Sequence, residues 1–106
     1  MNSVIALFAL MVALAGSDTP LIAVARTGDE AAARRLLETG ADPNEMNGKK
    51  ESPLLLAAWN GHTPLVRLLA AAGADIYHRD AGEWSPLILA ADRGHGETVA
   101  ALLALA

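Results

Sequence analysis

The 106-residue sequence contains no cysteine, which excludes a disulfide framework, a thiolate metal site and a cysteine nucleophile. Cations are scarce: eight Lys and Arg stand against twelve Asp and Glu, giving a net charge of −4. Only Arg34-Arg35 and Lys49-Lys50 are adjacent, whereas a nucleic-acid partner needs clustered cations to neutralise phosphate. Nucleic acid is therefore not the expected partner. There is no apolar run of the ~20 residues a helix needs to span a bilayer. Three His and scattered carboxylates form no metal-ligand spacing and no nucleophile, base and orienter set. His78 with Asp80 is the sole pair to consider for chemistry, and each Gly has a turn to explain it, which leaves no phosphate-cradling loop. With 53% apolar residues, the chain reads as one small domain of soluble type, too short for a deep enzyme core. No enzymatic activity, cofactor or metal is expected.

What the sequence has is a period. Thr19-Pro20-Leu21, Ser52-Pro53-Leu54 and Ser85-Pro86-Leu87 start 33 residues apart, and a fixed spacing of that size is the mark of stacked repeats. Gly28, Gly61 and Gly94 keep the same beat, and Gly40-Ala41-Asp42 returns as Gly73-Ala74-Asp75. A hydroxyl residue followed by Pro and an apolar run predicts a helix start, because the hydroxyl accepts from an orphan backbone N–H and Pro sits where its missing N–H costs nothing. The Gly about two turns later predicts the helix end. A second helix follows, carrying Leu36-Leu37, Leu69-Ala70 or Leu102-Leu103 near its end, and Asp29 is placed to start the first of these. Each unit thus reads as helix, turn, helix and a polar connection. Thr63-Pro64 repeats the cap-plus-proline device, and Asn47-Gly48 is a stronger turn signal than Ala81-Gly82.

These residues resemble the ankyrin repeat family. Ser52-Pro53-Leu54-Leu55-Leu56-Ala57-Ala58, Gly61-His62 and Gly73-Ala74-Asp75 follow its T-P-L-H-x-A-A, G-H and G-A-D pattern, and the likeness covers about residues 18 to 106. It implies an all-α repeat fold, an α-solenoid of paired antiparallel helices with β-turn fingers. Repeats are expected at 18–50, 51–83 and 84–106, the last incomplete. The resemblance also implies that His62 and His95 bond nearby backbone and support the stack. Ile22, Leu55 and Ile88 replace the family's His in T-P-L-H, so packing is expected to substitute for its hydrogen bonds. The finger glycine is displaced from its usual place, and Tyr77 replaces a usual Asn.

Residues 1–17 do not fit the repeat. Val4 to Ala15 is apolar all round and about a dozen residues long, and it ends in Ala13-Leu14-Ala15, an A-x-A site of the kind cut by signal peptidase. The expectation is a signal peptide and a periplasmic or secreted bacterial protein. A membrane anchor, or an apolar helix stacked on the first repeat in a cytoplasmic protein, are the alternatives. Leu14-Ala15-Gly16-Ser17 resembles a lipoprotein box with Ser17 in place of the acylated Cys, so lipidation is not expected. The other end, Val99 to Ala106, is apolar where a terminal repeat should show a polar face, which suggests a fragment of a longer chain, a partner cover or self-association.

Function is then a surface question, since a stack of units presents an extended curved face. The resemblance implies contacts from the exposed ends of the first helices, here Arg26, Thr27, Trp59, Asn60, Asp92 and Arg93, and from the fingers. Finger positions are Glu45, Met46, Asn47, Lys49 and Lys50 in one, and His78, Arg79, Asp80, Glu83 and Trp84 in the next. Trp59 stands out as a hot-spot residue type; stacking against the neighbouring finger, at Trp84, is its structural alternative. The expected function is a non-catalytic protein–protein interaction module that binds a partner protein on its concave face. Resemblance to small exported bacterial ankyrin proteins suggests protection or inhibition of that partner, with a scaffold fragment of a longer ankyrin protein as the alternative.

Overall fold

The computed structural model describes residues 18–106; the expected signal peptide lies outside the described residues. The helices are α1 Pro20–Thr27, α2 Glu30–Glu38, α3 Pro53–Trp59, α4 Thr63–Ala71, α5 Pro86–Asp92 and α6 Gly96–Leu105, with no strand among the described residues. The helix starts follow from the repeated phrase. Thr19, Ser52 and Ser85 each accept from the amide three residues on, at 3.3, 3.2 and 3.2 Å, and Pro follows directly. Gly28, Gly61 and Gly94 then turn the chain with φ of 81°, 72° and 75°, a conformation in which a Cβ is costly. Asp29 caps α2 by accepting from the Ala32 amide at 3.0 Å.

Each hairpin packs on the next. The first helices stack as α1, α3, α5 and the second helices as α2, α4, α6, so the core is a continuous seam between two layers. Leu21, Ile22, Leu54, Leu55, Leu56, Leu65, Val66 and Leu69 are its largest aliphatic members, all nearly inaccessible to solvent. Burying one such side chain stabilises by about 1.5 to 3 kcal/mol. Ile22 and Leu55 therefore substitute by packing for the imidazole that the family pattern carries. Ile88 does not: it is 42% exposed, in the last repeat.

Polar ties between repeats are made elsewhere. His62 Nε2 lies 3.0 Å from the Arg26 carbonyl oxygen and His95 Nε2 lies 2.9 Å from that of Trp59, so each imidazole holds the C-terminal end of the preceding repeat's first helix. Asn44 donates to the Gly73 carbonyl and accepts from the Asp75 amide, at 3.0 and 2.7 Å. The equivalent position in the next repeat is Tyr77, 66% exposed and not packed beneath the finger. Thr63 departs from expectation: its hydroxyl makes no cap bond but meets that of Thr98 at 2.7 Å, both side chains buried. The pairing across the repeat boundary satisfies two hydroxyls that burial would otherwise leave costly.

The fingers repeat too. In the first, the Asn47 amide bonds the Glu51 carbonyl and the Lys50 amide bonds the Asn47 carbonyl; Asp80, Trp84 and Glu83 copy this in the second. Where a glycine would be unstrained, Lys50 and Glu83 take φ of 58° and 67°. The displaced glycine is thus tolerated with its geometry kept, at a local conformational cost. His78 Nε2 reaches the Lys50 carbonyl at 2.6 Å and the Ala81 amide reaches that of Lys49 at 3.0 Å, which docks one finger on the other.

Candidate partner-binding face

The ends of α1, α3 and α5 present equivalent positions side by side: Arg26, Trp59 and Asp92, and beside them Thr27, Asn60 and Arg93. The structure gathers several into a hollow of about 400 Å³ lined by Arg26, Trp59, Asn60, Arg93 and His95. A second hollow, of about 300 Å³, adjoins it and shares Trp59 and Arg93; its other walls are Glu51, Asp80, Trp84, Leu89 and Asp92. Together they form a groove between the helix ends and the second finger.

Trp59 is half-buried, with its inner part packed against the core. This corrects the expectation of an exposed aromatic: the side chain is shared between the core and the groove. Its ring carries a cation, since the Arg93 guanidinium carbon stands 5.0 Å from the ring centroid, within the range of cation–π attraction. Trp84 is 42% exposed and lines the second hollow with Trp59.

Arg26 is already engaged. Its Nε donates to Asp18 at 2.5 Å and its Nη2 to Glu51 at 3.2 Å, while the Asn47 side-chain Nδ2 donates to the same two carboxylates at 2.9 and 2.8 Å. The Arg26 hydrogen bond holds the Asp18 carboxyl below the usual carboxylate range, and Asp18 in turn raises Arg26. Glu51, 6% exposed, is buried within this network. Asp18 and Glu51 were not among the expected contact residues. Their signal was the period itself, for positions 18, 51 and 84 are equivalent.

Of the other expected residues, Asp80 and Asp92 line the second hollow, and Thr27, Glu45, Met46, Lys49, Lys50, His78 and Arg79 fall outside the groove. Thr27 donates to the Val24 carbonyl at 3.1 Å, a bond within its own helix. Glu45 accepts from Thr19 and belongs to the first finger's base. Met46, half exposed, and Lys49 and Lys50 lie on the first finger, outside both hollows. His78 and Asp80 do not bond each other: His78 holds Lys50, and Asp80 accepts from the Gly82 and Trp84 amides at 2.9 and 3.0 Å. Arg79 donates to the Glu83 carbonyl at 3.1 Å and lines a separate groove with Tyr77, Leu87, Ile88, Leu102 and Leu103. That groove is the exposed end of the last repeat, so Arg79 and Trp59 do not share a surface hollow.

Among the described residues no three His, Asp or Glu side chains gather to hold a metal ion, and no helix is long and apolar enough to cross a membrane. A family model described as ankyrin repeats in three copies matches residues 6–80, and a second, ankyrin repeats in many copies, matches residues 60–103. The chain belongs to the ankyrin repeat family. Its members are generally protein–protein interaction modules and typically non-catalytic. Among curated proteins none matches this sequence.

Proposed function

We propose that this chain is a non-catalytic recognition module that takes a partner protein on the groove formed by Trp59, Asn60, Arg93 and the second finger. The observation that carries the reading is the stack of Arg93 on Trp59, beside Trp84, over two adjoining hollows. Trp and Arg are the residue types that dominate binding energy in protein interfaces. The test is capture of a partner by the full chain, compared with a Trp59→Ala/Arg93→Ala variant whose helicity and melting are checked. Capture is expected to be lost. A folded variant that captures normally would discard this face.

We also propose that residues 1–17 direct export, which would make the protein periplasmic or secreted and fit it to protect or inhibit a partner there. The family match begins at residue 6 and so overlaps this segment. N-terminal mass and compartment decide between the two: a species starting near Gly16 or Asp18 outside the cytoplasm supports export, and an intact cytoplasmic chain rejects it.

A second reading, part of a longer ankyrin scaffold, is favoured by one comparison within the molecule. Leu21 and Ile22, and Leu54 and Leu55, are almost fully buried, yet the equivalent Leu87 and Ile88 are 36% and 42% exposed. A further repeat would cover them. Coding sequence in phase beyond residue 106 supports the scaffold; a stop codon there removes it.

A further inference from the structure

The repeat supplies its own comparison. In the first copy of the groove, the Arg26 guanidinium lies among Asp18, Glu51 and Asn47. Moving on by one period of 33 residues replaces Asp18 by Glu51, Arg26 by Trp59, Asn47 by Asp80 and Glu51 by Trp84. The backbone frame is unchanged: Asn47 Oδ1 accepts from the Lys49 and Glu51 amides at 2.9 and 3.0 Å, and Asp80 Oδ1 accepts from those of Gly82 and Trp84 at the same distances.

The polarity of what the frame presents is reversed. Where the Asn47 Nδ2 group donates to two carboxylates, Asp80 presents Oδ2, which has no donor among the described residues. Where Arg26 supplies the cation, Trp59 supplies an aromatic ring. Asp92 adds another carboxylate to the same hollow and has no ion-pair partner among the described residues. Arg93 lines the hollow but stays over Trp59 and bridges none of these carboxylates. The first copy thus pairs its guanidinium with carboxylates, whereas in the second the carboxylates and Arg93 make no ion pair with each other among the described residues.

We propose that this second hollow, walled by Asp80, Asp92, Trp59 and Trp84, takes a basic side chain, an arginine or lysine, from a peptide segment of the partner. The flat indole of Trp84, 42% exposed, offers the surface on which such a cation stacks. The Asp80 and Asp92 carboxylates accept its N–H groups, as Asp18 and Glu51 accept those of Arg26. The chain's net charge of −4 favours the approach of a basic segment. This inference rests on the groove reading above and adds the chemistry of what enters it.

The test uses the two tryptophans as reporters, titrating the full chain with the blocked peptide Gly-Arg-Gly and its neutral citrulline counterpart while following the indole N–H signals by NMR. The Trp84 signal is expected to shift saturably with the arginine peptide and about fivefold more weakly with citrulline. Asp80→Asn keeps the turn, because an Asn already serves it at position 47, and with Asp92→Asn it should weaken binding by roughly tenfold. A flat titration at millimolar peptide, equal affinity for the two peptides, or an unchanged affinity in the folded double variant overturns the inference. The groove reading is judged separately by capture with Trp59→Ala/Arg93→Ala, so either can fail alone.

Discussion

The imidazole Nε2 of His95 lies 2.9 Å from the carbonyl oxygen of Trp59. One bond thereby joins the third repeat to the helix end that carries the central residue of the groove. The ring also fills the space over Gly61, where an added Cβ would stand 2.6 Å from it. His62 repeats the device on Arg26 and Gly28. Stack and groove are therefore held by the same contacts.

His95→Ala should lower stability by about 1 to 2 kcal/mol, the cost of losing a hydrogen bond and leaving a partly buried carbonyl without its partner. It should also alter the Trp59 indole signal, since the helix end is released. Gly61→Ala should cost at least as much, for its φ of 72° disfavours a side chain and the His95 ring must move. Urea unfolding monitored by circular dichroism measures both, and an unchanged midpoint for either variant counts against the role given to this contact.

Lys50→Gly and Glu83→Gly should each stabilise the protein, by about 0.5 to 1.5 kcal/mol. Both residues hold a left-handed backbone that a Cβ disfavours. The gain is what remains of the relieved strain after glycine's greater entropy in the unfolded chain is subtracted. Thermal melts of the single variants test this, and a lower melting temperature would contradict the finger geometry.

The Thr63 and Thr98 hydroxyls should behave as a coupled pair. Thr98→Val leaves the buried Thr63 hydroxyl without its partner 2.7 Å away, at a cost of about 1 to 3 kcal/mol. Thr63→Val/Thr98→Val removes both polar groups and should cost clearly less than the sum of the single changes. Additive single effects in a double-mutant cycle would show that the two hydroxyls do not depend on each other.

Acid should weaken the first finger's attachment. Asp18 is held below the usual carboxylate range chiefly by its hydrogen bond from Arg26, so its folded value lies below its unfolded one. The contribution to stability is present above the unfolded value and is lost as pH falls through the folded one. Because the pair is partly exposed, with 40% of the Arg26 side chain open to solvent, the effect should stay below about 1 kcal/mol. Asp18→Asn should be less stable than the wild type near neutrality and should converge with it in acid. A gap that persists at low pH would assign the difference to something other than this charge.

Local chemistry makes the helices legible in the sequence. The hydroxyl and proline pairs mark where α1, α3 and α5 begin, the glycines mark where they end, and the caps found at Thr19, Ser52, Ser85 and Asp29 all depend on neighbours within three residues. Where a side chain had a choice of distant partners, sequence reading was weaker. Thr63 reads as a cap but pairs with Thr98; Trp59 reads as exposed but is half-buried; Arg79 reads as part of the same contact surface as Trp59 but lines another groove.

The unit, its period and the apolar seam can be read from the order of residues alone, because capping, helix termination and the spacing of Leu and Ala are set by residues close along the chain. Which charges are spent inside the molecule and which face outward is set by how the repeats pack. Arg26 is neutralised by Asp18 of its own repeat and Glu51 of the next, while Asp80 and Asp92 remain open beside two tryptophans. Whether a charge is satisfied depends on what lies within a few ångströms of it, and here that environment is completed across a repeat boundary, by Glu51.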